Sequence, residues 1–205
     1  MDNLLIQGLL IGFSIAAPVG AIGLLCINRT LSQGSIVGFV SGLGAATADG
    51  IYGCIAGFGL TFISDFLIQQ QFWLRIVGGL FLCYLGVKIF TDKPEDRKGE
   101  TERHSLPGAY TSTLALTITN PTTILSFVAI FTGLGIANTA RNYSSAAILV
   151  LGVFLGSASW WLILSGIVGL IKRRFNSLAL TRLNQASGLL IVTFGISALI
   201  SVTKL

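Results

Sequence analysis

The sequence predicts an all-α integral membrane protein with six transmembrane helices. The first observation is composition: 53% of the 205 residues are hydrophobic and only 10% are charged, whereas a typical soluble domain has about 25% charged residues. The second is a set of six apolar runs, each long enough to cross about 30 Å of hydrocarbon at roughly 20 residues per helix. The third is a set of motifs that recurs in the same order in both halves. So few charges cannot coat a globule, so the bilayer is the expected solvent.

The apolar runs follow one another with short polar turns between them, such as "NRTLSQG" and "ARNYSS". The runs cover about 4–27, 34–63, 72–91, 107–136, 144–171 and 183–203. One longer hydrophilic segment, "TDKPEDRKGETERHS", has the mixed charge and Pro/Gly content typical of a flexible linker. We therefore predict a single transmembrane domain over 1–205, with a first repeat at about 1–91, a hydrophilic loop at 92–106 and a second repeat at about 107–205.

The two halves share motifs in register. "GGLFLCYLG" of the third run aligns without gaps with "SGLLIVTFG" of the sixth, and "GLGAATAD" of the second falls near "VFLGSASW" of the fifth. "AAPVGAI" of the first run matches "TNPTTIL" of the fourth and superposes Pro18 on Pro121. Because each half has an odd number of spans, the second half enters the membrane in the opposite orientation to the first. The sequence thus predicts two inverted three-helix repeats with Pro-broken helices 1 and 4, a signature of secondary transporters.

The two prolines interrupt helices at membrane depth. Proline donates no helix hydrogen bond and clashes with the carbonyl four residues back, here those of Ser14 and Thr117. One interpretation is a pair of tolerated kinks. The other is two discontinuous helices, whose freed carbonyls suit an ammonium and whose downstream N-termini suit a carboxylate. The second interpretation predicts a site for a zwitterionic amino acid, with these candidate residues: Ser14, Pro18, Thr117, Thr119, Asn120, Pro121 and Thr122.

Asp49 is the only acidic residue deep within any run. An ionised Asp at such a depth costs about 2.5–3.5 kcal/mol on insertion scales, so we expect a functional role. Three roles remain open: a partner for a substrate ammonium, a carrier of a coupling proton, and a structural hydrogen bond to a neighbouring helix. Tyr52 lies one turn later on the same helical face and either lines the same cavity or packs there.

The motifs and spacings that the sequence lacks argue against several functions. It has no HExxH, GxSxG or Walker motif, so no enzyme is predicted. Cys26, Cys54 and Cys83 have no metal-ligand spacing and are expected to be apolar fillers, and no cofactor is predicted. The net charge of +5 does not indicate nucleic-acid binding, because the basic residues lie in short loops between apolar runs.

The distribution of Lys and Arg predicts the orientation. The loops after runs 1, 3 and 5 carry ten: Arg29, Lys88, Lys93, Arg97, Lys98, Arg103, Lys172, Arg173, Arg174 and Arg182. The opposite side carries three: Arg75, Arg141 and Lys204. We therefore expect loop 92–106 to be cytoplasmic and both termini to be external.

Four segments carry a resemblance that spans most of the chain: "APVGAIGLLCINRTLSQG", "GLGAATADGIYG", "LRIVGGLFLCYLGVKIF" and "TNPTTILSF". In this order they resemble the lysine exporter (LysE/RhtB-type) family of bacterial amino-acid exporters. The resemblance implies export of amino acids or their derivatives across the cytoplasmic membrane by proton antiport.

Two other functions and one assembly state are kept open. A cation (heavy-metal) transporter of the same superfamily would need more intramembrane ligands than the chain offers. The other alternative is a non-transporting membrane scaffold. The glycine ridges, such as Gly8/Gly12 and Gly152/Gly156, would permit a homodimer.

Overall fold

The computed structural model describes residues 2–18, 20–57, 69–91, 105–120, 123, 126–127, 143–172 and 177–204. These residues form seven α-helices: α1 (Asp2–Ala16), α2 (Ala21–Gln33), α3 (Ser35–Gly57), α4 (Gln71–Thr91), α5 (Leu106–Ile118), α6 (Tyr143–Lys172) and α7 (Ser177–Ser201). A 3-10 turn, Val202–Lys204, follows α7. The all-α prediction is confirmed for the described part of the chain.

Four of these helices are long and apolar enough to cross a membrane, namely α3, α4, α6 and α7. They correspond to the second, third, fifth and sixth apolar runs. The pair α1 and α2 gives at most a fifth crossing, bent by 81° at its break. The fourth run is described only as α5 and a few residues after it, so the number of six spans stays a prediction.

The first break lies at Pro18, as predicted. The last helical hydrogen bond at the end of α1 runs from the Ala17 N–H to the Phe13 carbonyl at 2.9 Å. Pro18 has no N–H to donate, and α2 starts at Ala21 after Gly20 donates back to the Pro18 carbonyl at 3.0 Å. The predicted partner break is visible from one side only: α5 ends at Ile118, while Pro121 lies outside the described residues.

The segment "NRTLSQG" is helical nearly to its end, so its prediction as a turn is wrong. α2 continues to Gln33, and the chain turns at Gly34, whose φ of 107° favours glycine. The polar residues of the segment are buried and bonded: Asn28 donates to Asn184 at 2.8 Å, and Thr30 donates to the Cys26 carbonyl at 2.8 Å. Arg29 is likewise buried, so counting it as a loop cation was wrong.

Glycines bring helix backbones into contact in several places, including Gly44 of α3 against Tyr110 of α5. Gly8 and Gly12 of α1 face Gly152 and Gly156 of α6, and a Cβ on Gly12 would collide with the Val153 carbonyl. The predicted small-residue ridges are therefore packing surfaces within the chain.

Gly79 and Gly86 of α4 likewise face Gly195 and Gly188 of α7. α3 packs against both α5 and α6, while α2 lies against α3, α6 and α7. These contacts fix the positions of the start of α2 and the end of α5, where the candidate site lies.

Candidate substrate-binding site

A cavity of about 350 Å³ lies where the two breaks meet. The start of α2 and the end of α5 both line it, together with the first half of α4 and the last two turns of α7. Its polar lining includes Arg75, Thr119, Asn120, Ser197 and Ser201, and its apolar wall includes Leu74, Leu82, Leu116 and Phe194. The tertiary structure thus joins elements a hundred residues apart around one space.

The start of α2 gives the cavity a positive end. Gly20 is the N-cap, and no side chain caps the helix there. The first intrahelical bond runs from Leu24 to the Gly20 carbonyl at 3.0 Å, so the N–H groups of Ala21, Ile22 and Gly23 precede the helical ladder. These groups carry the partial positive charge of a helix N-terminus.

Arg75 of α4 adds a full positive charge to the same wall. Its Nη1 donates to the Ser201 carbonyl at 2.8 Å, which holds the side chain across the space between α4 and α7. From the sequence, Arg75 indicated only the orientation of the spans. Its position inside an apolar run was the available signal that it has a second role.

The end of α5 supplies the opposite polarity. Thr119 donates its hydroxyl to the Ala115 carbonyl at 2.9 Å, which leaves its oxygen as an acceptor. Thr119 and Asn120 both line the cavity, as the sequence analysis placed them at a substrate site. The C-terminus of α5 carries a partial negative charge.

Among the described residues around the breaks, the predicted site residues Thr117, Ser14 and Pro18 do not line the cavity. The carbonyl of Thr117 is not left free, because the Asn120 N–H donates to it at 3.2 Å, and the Thr117 hydroxyl donates to Thr113 at 2.8 Å. Ser14 and Pro18 are exposed beside the first break. Pro121 and Thr122 lie outside the described residues.

Asp49 is buried between α3 and α6, with 3% of its surface exposed. Ser157 Oγ donates to Asp49 Oδ2 at 2.7 Å, and Trp161 Nε1 donates to Ser157 Oγ at 3.2 Å. Of the three roles left open for Asp49, the hydrogen bond to a neighbouring helix is therefore present. Asp49 is not among the described residues that line the cavity.

Tyr52 connects the helix of Asp49 to the cavity. Its hydroxyl donates to the Ile118 carbonyl, the last residue of α5, and its ring lies 5.5 Å from that of Phe127, centroid to centroid. Ile118 directly precedes Thr119, which lines the cavity. A change at either end of this contact would reach the other.

Arg29 is a second residue that the sequence analysis missed. It is 7% exposed and bonds oxygens of both α3 and α5. Its signal was a cation directly after an apolar run, which also fits a loop. In the described part of the chain, no three His, Cys, Asp or Glu residues come together.

Comparison with known proteins identifies sequences similar to this chain. The sequence model of the LysE type translocator family matches residues 13–202. The chain is 26% identical over 198 residues to the "Putative amino acid efflux protein YcgF" of Bacillus subtilis (strain 168), covering 94% of the chain and 93% of the relative. It is 24% identical over 193 residues to the "Uncharacterized membrane protein slr1627" of Synechocystis sp. (strain ATCC 27184 / PCC 6803 / Kazusa), covering 91% of each.

No solved structure matches the chain. The family match covers nearly the whole chain and agrees with the resemblance carried by its motifs. It also makes the chain a membrane translocator rather than an enzyme. The chain belongs to the LysE type translocator family.

Proposed function

We propose that this translocator exports amino acids or their small derivatives across the bacterial cytoplasmic membrane in exchange for protons. The observation that carries the proposal is the polarity of the cavity, which has a positive end and a negative end within one small space. A zwitterionic amino acid presents the complementary pair of charges. The name of the Bacillus subtilis relative supports the same substrate class.

The positive end suits the substrate carboxylate. Arg75 offers a planar guanidinium fork, which pairs with a carboxylate in two parallel hydrogen bonds. The open N–H groups at the start of α2 add donors that cannot titrate, and both lie on the cavity wall.

The negative end suits the substrate ammonium. The Thr119 oxygen has its acceptor sites free because its proton is donated to Ala115. The dipole of α5 favours a cation at its C-terminus. Asn120 supplies a further polar side chain on the same wall.

The size of the cavity favours a small substrate. At about 350 Å³, it lies near the lower limit of the range of about 300–1,000 Å³ typical of ligand pockets. Leu74, Leu82 and Phe194 form an apolar wall that suits the substrate side chain. This wall contributes burial rather than charge recognition.

The helix contacts support the two inverted repeats. If the first three runs correspond to the last three, the contact of α1 with α6 has its counterpart in the contact of α5 with α3, and both are present. The third and sixth runs would meet each other, as α4 and α7 do. In such transporters the substrate lies between the repeats, and elements from both halves of this chain line the cavity.

Asp49 is the candidate for the proton. Its hydrogen-bond partner among the described residues is the neutral hydroxyl of Ser157, so a proton can bind and leave without breaking an ion pair there. Tyr52, one turn away, carries the change to the end of α5. Coupling would then run through the α3–α5 contact, or by direct competition when a substrate ammonium reaches Asp49.

A flux assay tests the proposed function. Purified protein in proteoliposomes is given a pool of radiolabelled amino acids, with and without an imposed pH gradient, and a parallel set receives divalent metal ions. We expect uptake of one or a few amino acids that is stimulated by the gradient. Uptake of metal ions alone, or no uptake of any amino acid, would refute the proposal.

A further inference from the structure

The cavity is separated from the far ends of α2 and α5 by a barrier inside the bundle. α2 begins and α5 ends at the cavity, while Arg29 near the end of α2 bonds Ala109, Ser112 and Thr113 near the start of α5. The two helices therefore run in opposite directions. Arg29 lies eight residues beyond Ala21, or about 12 Å along the axis at about 1.5 Å per residue.

The first part of the barrier is apolar. Leu25, Ile89, Leu116 and Ile191 form one buried cluster, and each is at most 8% exposed. Leu25 lies one turn beyond Ala21 and one turn before Arg29, so this cluster occupies the depth between the cavity and Arg29. It is an apolar layer between the cavity and Arg29.

The second part is a polar layer built around Arg29. Its Nη1 donates to Ser41 Oγ at 3.0 Å, to the Ala109 carbonyl at 2.9 Å and to Thr113 Oγ1 at 2.8 Å. Its Nη2 donates to Ser112 Oγ at 2.8 Å. One side chain thereby ties α2 to both α3 and α5.

The hydroxyls of this layer are arranged as acceptors. Each donates its own proton to a carbonyl of its own helix: Ser41 to Val37 at 2.9 Å, Ser112 to Gly108 at 2.7 Å and Thr113 to Ala109 at 3.0 Å. Their lone pairs are therefore left for the guanidinium. The arrangement is specific for a donor at the position of Arg29.

The partners of Arg29 in the described residues are all neutral oxygens. Asp49 accepts its hydrogen bond from Ser157 instead, and the only other described acid is Asp2 at the start of α1. Charge-assisted hydrogen bonds to neutral groups are strong enough to hold a buried guanidinium. Water can take the place of these neutral oxygens one hydrogen bond at a time. Separating a buried ion pair would instead leave an uncompensated charge.

We propose that Arg29 is the positioning residue that locks this end of the transport route. Its guanidinium holds α2 against α3 and α5, and its release from the four oxygens opens the barrier on the side of the bundle away from the cavity. The purpose of the lock rests on the proposed transport function. The lock itself is measurable without any substrate.

Cys26 is a natural reporter of this opening. It is 2% exposed and lies one turn before Arg29 on α2. In a background with Cys54→Ala and Cys83→Ala, the protein in proteoliposomes is treated with N-ethylmaleimide, which crosses membranes. Arg29→Gln is expected to speed modification of Cys26 by about tenfold or more, the change expected on losing a hydrogen bond to a charged group.

A matched control separates locking from general packing. Asn28→Ala removes the buried Asn28–Asn184 bond from the same helix and leaves the oxygens around Arg29 in place. It should change the labelling rate less than about twofold, a difference below 1 kcal/mol. The double variant Ser112→Ala/Thr113→Val, which keeps Arg29 and removes two of its acceptors, should give an intermediate rate and serves if Arg29→Gln does not fold.

Two results would overturn the lock. One is a wild-type labelling rate in Arg29→Gln, or in the double variant if it is the one that folds. The other is an equal acceleration in Asn28→Ala. Failure of the wild-type protein to move any amino acid would instead count against the proposed function and leave the labelling result standing.

Discussion

Ser157 donates a hydrogen bond to Asp49 across the α3–α6 contact, with 2.7 Å between Oγ and Oδ2. The indole of Trp161 donates to the same hydroxyl at 3.2 Å. Indole nitrogen only donates, so the hydroxyl oxygen of Ser157 accepts from Trp161 while its own proton is donated to Asp49. Among the described residues, the acid is therefore held by a neutral hydroxyl.

The first prediction concerns this acid. Asp49→Asn keeps the shape of the side chain and a carbonyl oxygen for Ser157, but it cannot exchange a proton. The variant is expected to insert and purify normally and to lose export driven by a pH gradient in proteoliposomes. Exchange of labelled for unlabelled substrate, which needs no net proton movement, should be retained in part. Wild-type rate and pH dependence would exclude Asp49 as the coupling site.

The second prediction concerns the positive end of the cavity. Arg75→Gln removes the charge that we assign to the substrate carboxylate. Loss of a hydrogen bond to a charged group costs about 1.5–3 kcal/mol, so the KM for export should rise roughly ten- to hundredfold. Arg75→Lys keeps the charge without the planar fork, so its KM should lie between those of the wild type and Arg75→Gln. An unchanged KM in Arg75→Gln would place the carboxylate elsewhere.

The third prediction concerns the second break. Pro121→Ala restores the N–H and removes the clash with the preceding turn, so α5 should continue past Ile118. The variant should then insert into the membrane but lose export. Pro107 provides the control, because it lies in the first turn of α5, where proline is tolerated, and does not line the cavity. Pro107→Ala should export normally. Normal export by Pro121→Ala as well would reduce the motif to a kink.

The fourth prediction concerns the contact of α1 with α6. A side chain at Gly12 meets the backbone of Val153, which cannot move aside as a flexible side chain would. Gly12→Leu should therefore destabilise the protein by at least about 1–3 kcal/mol, the range typical of overpacking. The loss should appear as a lower melting temperature in detergent. At Gly166 of α6 a Cβ would have no neighbour within 4 Å. Gly166→Leu should melt like the wild type, and similar losses in both variants would contradict the assigned contact.

The fifth prediction concerns orientation. With Arg29 and the cavity-lining Arg75 removed from the count, nine basic residues remain on one side against two on the other, so the predicted direction is unchanged. In a background without the native cysteines, a cysteine at position 98 should resist a membrane-impermeant maleimide in intact cells. A cysteine at position 3 should react. The reverse labelling pattern would invert the topology.

The sequence by itself determined the features that depend on local chemistry. Hydropathy over some twenty residues identified α3, α4, α6 and α7, because each span must satisfy its own backbone in hydrocarbon. Pro18 located the first break, because a missing N–H acts within one turn. The small-residue spacing at Gly8 and Gly12 predicted a close helix contact, although not its partner.

Only the tertiary structure decided which polar groups meet. Arg29 was expected in a loop and is buried, because its acceptors come from α3 and from α5, up to 84 positions away. Asp49 faces Ser157, 108 positions away, and lies apart from the cavity that unites Gly20, Arg75 and Asn120. Hydropathy reports the cost of burying a polar group. The partner that offsets this cost comes from another helix, and helix packing alone brings the two together.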